Sequence, residues 1–261
     1  MKQSILSHLP GDFPWQVHWF NTIDSTNEQA KIMAKQGAPH GTVIIAGHQS
    51  KGKGRMGRSF SSPEGMGIYL SVILRPACRA EQLMHLTCAA GVAMCDAIES
   101  VTGYRPGIKW INDLVSEGKK LGGILTELSI DPQSGVVQYA IVGIGINCCQ
   151  CRADFPEDIR DIAISLKTAT GQAVEPAVFA AAMIQSLEKI DLSAKAEILT
   201  AYQKDCITIG KEIVLLRSDE KCYGTAVGID NDGALLVTFP DGTTQAVNSG
   251  EVSIRGMYGY V

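Results

Sequence analysis

No stretch of this sequence approaches the roughly 18 uninterrupted apolar residues that a membrane-crossing helix requires, so a helical membrane protein is excluded. A basic excess is missing as well. Lys and Arg number 23 against 27 Asp and Glu, a net charge of −4, which argues against an extended nucleic-acid surface while leaving room for local clusters that hold phosphate. Residues 1–10 lack a continuous apolar core followed by a small-residue cleavage site, so no secretory signal is read and a soluble, cytoplasmic protein is expected. No Cys or His pair stands at finger-like spacing to complement the cluster Cys148, Cys149 and Cys151, so neither zinc nor haem is expected. The other cysteines, Cys78, Cys88, Cys95, Cys206 and Cys222, sit in apolar runs and read as buried free thiols of a reducing compartment. Internal repeats, low-complexity segments and a Ser-His-Asp or Cys-His nucleophile pattern are all absent.

The 261 residues, 45% hydrophobic and 19% charged, suffice for one large domain and a small appended one. Residues 24–36 read as a helix, with Ser25 and Glu28 spaced as a capping box and Gly37 and Pro39 ending it. A short buried strand is expected at 42–46, a loop with five glycines and four basic residues at 49–67, and a strand at 68–74. Apolar residues at three- or four-residue spacing predict a long helix over 81–101, ended by Gly103. Segments 108–115, 123–130 and 136–146 read as an antiparallel meander, and helices are expected at about 159–170, 176–190 and 194–205. At Ile209-Gly210 the composition switches to short strands separated by turn residues, Asn231-Asp232-Gly233 and Asp241-Gly242. The expected domains are therefore 1–209 and 210–261, the second a small all-β barrel with Arg255 near its end, placed as a lid or docking element. Strands grouped apart from helices favour an α+β fold: a mixed or antiparallel sheet with segregated helices.

The segment Gly52-Lys53-Gly54-Arg55-Met56-Gly57-Arg58-Ser59 satisfies the dinucleotide fingerprint G-x-G-x-x-G and an imperfect P-loop. Each of those motifs needs a helix that begins at the loop, whereas this one leads to a strand. A protein-kinase glycine loop does lie between strands, but no H-R-D or D-F-G sequence accompanies it. What remains is chemistry: Lys51, Lys53, Arg55 and Arg58 on a backbone with glycine at every second or third position, suited to polyphosphate. Taken alone, such a loop is more often a solvated basic turn.

Other segments change that balance. Ser25-Thr26-Asn27 opening a helix, Gln49 ahead of the basic loop, Lys109-Trp110-Ile111-Asn112-Asp113, Lys120-Leu121-Gly122-Gly123-Ile124-Leu125 and Gly143-Ile144-Gly145-Ile146-Asn147 resemble, in order and spacing, the motifs of biotin protein ligases. The resemblance runs from about residue 20 to the end. It departs from the family's usual pattern at Lys53, Phe60, Ile111 and Gly122, where arginine, tryptophan, proline and alanine are more usual. The resemblance implies a class II synthetase-like biotin/lipoate ligase catalytic fold with a C-terminal SH3-like β-barrel, in a short form without an N-terminal DNA-binding domain.

It also implies that the chain forms biotinyl-5'-AMP from biotin and MgATP, then transfers biotin to a lysine of a biotin carboxyl carrier protein. Ser25, Thr26, Asn27, Gln49, Gly54 and Gly123 would meet biotin, with Lys53, Arg55 and Lys120 shared between biotin and nucleotide. Arg58, Phe60, Asn112, Asp113 and Asn147 would meet ATP, with Asp113 also a Mg²⁺ ligand. Lys120 and Arg55 would be catalytic, stabilising charge on the phosphoryl oxygens. Gly122, Gly123, Gly143 and Gly145 would leave room for the ligand; an isolated strand glycine otherwise marks a bulge. No DNA or membrane partner is expected, and a homodimer is left open. Three rivals fare worse. A lipoate protein ligase lacks the pairing of Gln49 with this loop. A DNA-binding repressor needs a three-helix module, for which the residues before Asn21 are too few. A non-catalytic adaptor leaves Lys120 and the basic loop unexplained.

Overall fold

The structure, a computed structural model, describes residues 1–217, 220–248 and 253–256, with 217, 220 and 253–256 described as backbone only. In chain order the elements are α1 (Lys2–Leu6), β1 (Gln16–Ile23), α2 (Thr26–Lys35), β2 (Thr42–Gln49), β3 (Gly67–Leu74), α3 (Leu86–Thr102), β4 (Gly107–Lys109), β5 (Asp113–Ser116), β6 (Lys119–Ile130) and β7 (Val137–Asn147). They continue as α4 (Leu166–Thr170), α5 (Pro176–Glu188), α6 (Lys195–Asp205), β8 (Glu212–Arg217), β9 (Glu220–Ile229), β10 (Leu235–Thr238), β11 (Thr244–Val247) and β12 (Ser253–Gly256). Seven strands form one sheet in the order β1-β2-β3-β7-β6-β5-β4, antiparallel except for the parallel pair β1 and β2. The C-terminal strands form a separate antiparallel sheet, β11-β10-β9-β8-β12, the strand set of a small barrel-like domain. The α+β expectation holds. The side chain of Arg255 lies outside the described residues.

Alternation along the strands divides the large sheet into two faces. Val43, Ile45, Leu70, Val72, Val142 and Ile144 turn towards α3, α5 and α6 and build the main core. Ile44, Ile73 and Ile141 turn the other way, onto Ala30 and Ala34 of α2. Because α2 is only ten residues long, it covers one end of that second face and leaves the rest open beyond its N-terminus. The open part is where the site lies.

Several local readings change. Ser25 occupies the N-cap position of α2, but no capping box forms. Its backbone N–H is taken by Asp24 at 2.6 Å, and Glu28 turns instead to Lys31 and Lys53, whose charges attract it more strongly than a neutral amide. The segment 108–115 is not one strand, since the chain reverses at 110–112, across a cis Trp110–Ile111 peptide, so that Lys109 faces Asp113. Residues 159–165 are not helical, because the backbone of Ile162 and Ile164 hydrogen-bonds to Lys120 on either side. The 81–101 helix begins only at Leu86, after a separate 3₁₀ turn at Ala80–Leu83. All eight cysteines are unpaired; of the five read as buried thiols, Cys88, Cys95 and Cys206 are buried and Cys78 and Cys222 only half-buried.

His85 sits at the start of α3, beside the β9–β10 turn. It is 1% exposed, its Nε2 lies 3.0 Å from the Leu192 carbonyl, and its Nδ1 has no partner among the described residues. Nearby, Lys195 pairs with Asp232 of the β9–β10 turn at 2.6 Å. Burial holds the His85 imidazole below its ordinary value of 6.5, with Lys195 adding to the effect and the Leu192 carbonyl and Asp232 opposing it. A histidine whose folded pKa is depressed contributes no penalty above the unfolded value and destabilises the fold as the pH falls below it. Thermal denaturation at about pH 7.5 and about pH 5.5 should show a steeper acid loss for the parent chain than for His85→Gln, which keeps a donor towards Leu192. Equal slopes would mean that this imidazole takes up its proton as readily in the folded chain as in the unfolded one.

Candidate active site

The open sheet face has a floor of glycines. A Cβ on Gly143 would strike the Asn27 side chain, one on Gly145 would lie 2.5 Å from the Phe60 ring, and one on Gly123 would lie 3.2 Å from the Lys120 ammonium. These three positions leave a cleft between α2, the basic loop and the strands β6 and β7. Gly122, by contrast, points to the opposite face, where a Cβ would meet the Gly145 carbonyl and Ile146. Its lack of a side chain serves strand packing and not the cleft.

One end of the cleft is neutral and tightly bonded. The Gln49 amide oxygen accepts from the Thr26 backbone N–H at 2.8 Å and from its hydroxyl at 3.1 Å, while the Gln49 amide nitrogen donates to Ser62 at 2.8 Å. That geometry fixes which way round the amide sits. The Ser71 hydroxyl, fully buried, lies 2.6 Å from Asn27 Oδ1 and 2.8 Å from Thr26 Oγ1, and the Asn27 amide donates to Glu127 at 2.8 Å.

The other end is cationic. Gly54 N–H donates to the Arg58 carbonyl at 2.7 Å and Phe60 N–H to the Gly52 carbonyl at 2.9 Å, so the basic loop folds back on itself as a narrow hairpin. Its only helical geometry is a 3₁₀ turn at Arg55–Gly57, and no phosphate-binding helix starts there. From this hairpin Lys53 reaches Glu28 at 2.6 Å, and Arg55 donates to Asn112 Oδ1 at 2.9 Å. The two lysine hydrogen bonds hold Glu28 below the usual carboxylate range, that from Lys53 foremost. Burial lowers the Arg55 guanidinium, against the pull of Asp113, but an arginine remains charged.

Lys120 enters from the far side. The turn ahead of it, Glu117-Gly118, has both residues at positive φ, +51° and +71°, the geometry of a two-residue hairpin, so Lys120 lies in β6 and not in a solvated turn. Its ammonium meets Asp113 Oδ1 at 2.7 Å, and its backbone is gripped by Ile162 and Ile164.

Eleven of the fourteen residues assigned from sequence to biotin or nucleotide thus line one cleft: Ser25, Thr26, Asn27 and Gln49 at the neutral end; Lys53, Gly54, Arg55 and Phe60 from the loop; Asn112, Lys120 and Gly123 from the strands. Three are not in its lining. Arg58 is exposed. Asp113 stands behind Lys120 as its counter-ion. Asn147 is 5% exposed, with its amide donating to the Ile164 carbonyl at 3.1 Å, so it braces the segment that grips Lys120. Ser62, Ser71 and Glu127 went unread. A lone serine inside Gly67–Leu74, otherwise almost wholly apolar, was the one available signal.

Comparison with known proteins gives concordant likenesses. Residues 19–147 match the biotin/lipoate A/B protein ligase family, and residues 208–255 match the biotin protein ligase C-terminal domain. The chain is 36% identical to a bifunctional ligase/repressor of Bacillus spizizenii over 226 residues, 85% of this chain and 69% of that protein. It is 32% identical to a biotin–[acetyl-CoA-carboxylase] ligase of Paracoccus denitrificans over 240 residues, 89% of this chain and 98% of that one. Among solved structures, the biotin protein ligase from Aquifex aeolicus in complex with biotin and ATP superposes with a TM-score of 0.78 at 30% identity, covering 94% of this chain and 100% of that chain.

The glycine floor has a direct test. Gly143→Ala should force Asn27 off its bonds to Glu127 and Ser71 and lower stability by about 1–3 kcal/mol in chemical denaturation, because the obstruction is a buried polar network. Gly11→Ala, where an added Cβ meets nothing within 4 Å, should stay within about 0.5 kcal/mol of the parent. Matching small losses at both positions would mean that Asn27 moves aside freely.

Proposed function

The chain belongs to the biotin protein ligase family, and we propose that its cleft makes biotinyl-5'-AMP from biotin and MgATP and then passes the biotinyl group to a lysine of a biotin carboxyl carrier protein. The observation that carries this reading is the passage, within one cleft, from the neutral amide and hydroxyl end at Gln49 and Thr26 to the cationic end at Lys53, Arg55 and Lys120. Biotin has the matching polarity: a neutral ureido ring that both donates and accepts, and a carboxylate at the far end of its chain. With Gln49 Oε1 taken by Thr26 and one amide hydrogen given to Ser62, the second hydrogen is the donor left for a carbonyl.

In the first step a biotin carboxylate oxygen attacks the α-phosphorus, the bond to the β-phosphate oxygen breaks, and pyrophosphate leaves with the electron pair. Arg55 and Lys53 sit over the two anions that must approach, and Lys120 stabilises the charge that grows on the α-phosphoryl oxygens. Phe60 and Asn112 are assigned to the nucleoside and Arg58 to the pyrophosphate end. In the second step the amine of the carrier lysine attacks the acyl carbon and AMP leaves. The side chains of Asp113 and Asn147 act through Lys120 and its strand.

Asp113 does not fit a resident Mg²⁺. Its Oδ1 is occupied by the Lys120 ammonium at 2.7 Å, and among the described residues no three His, Cys, Asp or Glu side chains group to hold a metal. The ion is therefore written as part of the substrate, MgATP. We divide the chain at Gly210 into a catalytic domain, 1–209, and an accessory barrel, 210–261. No helix among the described residues is long and apolar enough to cross a membrane, and eight unpaired cysteines support a cytoplasmic setting.

ATP–pyrophosphate exchange should proceed with biotin and not with lipoate or octanoate, whose ends carry no ureido group. Exchange as fast with lipoate would sink the assignment. The catalytic role of Lys120 is checked beside its neighbour. Lys120→Ala should slow single-turnover adenylation on the order of a hundredfold, the cost of one transition-state donor, while biotin binding suffers much less. Lys119, one residue earlier in the strand, should be nearly silent as alanine. Equal mild effects at the two positions would leave Lys120 a structural partner of Asp113 only.

A further inference from the structure

We infer that Trp110 is a positioning residue through which the C-terminal domain sets the arginine side of the cleft; the inference rests on the functional reading above. Trp110 is 5% exposed and donates twice. Its backbone N–H goes to the Thr208 hydroxyl at 2.9 Å, in the segment leading from α6 to β8. Its indole N–H goes to the Gly233 carbonyl at 3.0 Å, in the turn between β9 and β10. Two residues further along, Asn112 accepts from Arg55 at 2.9 Å and donates to the Ile124 carbonyl at 3.0 Å. Two hydrogen bonds, Trp110 to Gly233 and Arg55 to Asn112, are therefore joined by the short backbone step across Ile111, from the small domain to a guanidinium of the site.

The turn that starts this line is built to be rigid. The Asp230 carboxylate accepts from the backbone N–H groups of Asp232 at 2.8 Å and Ala234 at 2.9 Å. Gly233 has φ +86°, and a Cβ there would lie 3.2 Å from Cys88 Sγ, with Leu199 of α6 next nearest. A turn that merely reversed a hairpin would stay in solvent; this one is wedged against α3 and α6, where Lys195 also holds Asp232 at 2.6 Å. A buried ring could as well be phenylalanine. A buried indole N–H needs an acceptor, and the Gly233 carbonyl supplies it. The backbone on the catalytic side is held equally firmly, since Ile207 N–H donates to the Ile108 carbonyl at 2.9 Å. A displaced turn is thus passed on to Trp110 and the residues after it, because packed elements shift as units.

The test uses the full-length chain. Trp110→Phe keeps an aromatic ring, though a smaller one, and removes the indole donor. It should raise the KM for ATP and the dissociation rate of biotinyl-adenylate by about tenfold, the worth of one hydrogen bond, with the KM for biotin changed less than about twofold. Asp230→Ala, which loosens the turn without touching Trp110, should shift the KM for ATP in the same direction by a smaller factor, and it serves alone where Trp110→Phe folds poorly. In an Asn112→Ala background Trp110→Phe should add less than about twofold, because the pathway is already cut. Full, multiplicative losses in both backgrounds, or equal changes in both KM values tracking a lowered melting temperature, would reduce Trp110 to packing and overturn the inference. A parent chain without biotin-dependent exchange removes the functional reading itself, and this inference with it.

Discussion

Helix α2 starts in the middle of a sheet face, and the bond that allows it is the one from the Thr26 backbone N–H to the Gln49 amide oxygen. The first N–H groups of any helix lack intrahelical partners, and one buried without an acceptor costs roughly 1–3 kcal/mol. Here a strand side chain supplies the acceptor, and the Thr26 hydroxyl shares it. Because the tie comes from β2, the helix need not extend over the glycines of β6 and β7, and the space beyond its end remains a cleft. Asn27, Ser71 and Glu127 extend the same network across three further elements, so the neutral end of the site is also the anchor of α2.

The cationic end obeys a different constraint. Three positive groups converge on a small volume, and among the described contacts two have a carboxylate partner: Lys53 with Glu28 and Lys120 with Asp113. Partly exposed pairs of this kind are worth at most about 1 kcal/mol each. Such pairs are cheap to exchange, and a phosphate arriving between the cations replaces one anion by another without any charge having to be buried alone. Arg55 is also bonded to a neutral side chain, Asn112, which the Ile124 carbonyl orients, so the strand end helps to set its position.

A β domain of about fifty residues has too little interior to be robust by itself. In this chain the small sheet leans on the catalytic domain through the β9–β10 turn and through the segment 206–210, which pairs with β4 on one side and with Ala226 on the other. Docking stabilises the small domain and, through Trp110, fixes the reversal that presents Asn112.

Sequence alone determined the parts whose cause is local. The long helix ending at Gly103, the Pro176-started helix α5, the change of composition at Gly210 and the five ordered motifs were all legible, because periodicity, terminators and glycine spacing act within a few residues. What sequence could not decide was which distant partner each polar group would take. Glu28 stood three residues from Ser25 and read as a cap until Lys53 proved nearer. Residues 159–165 carried a helical pattern, but the start of β6 claimed their backbone. Asp113 read as a metal ligand and is held by Lys120, and Gly122 and Gly123 are indistinguishable in sequence, yet only Gly123 faces the cleft because successive strand residues point to opposite faces. Ser71 stood out in its strand without a readable role: a serine in an apolar strand acquires one only once the sheet lays Thr26 and Asn27 over it.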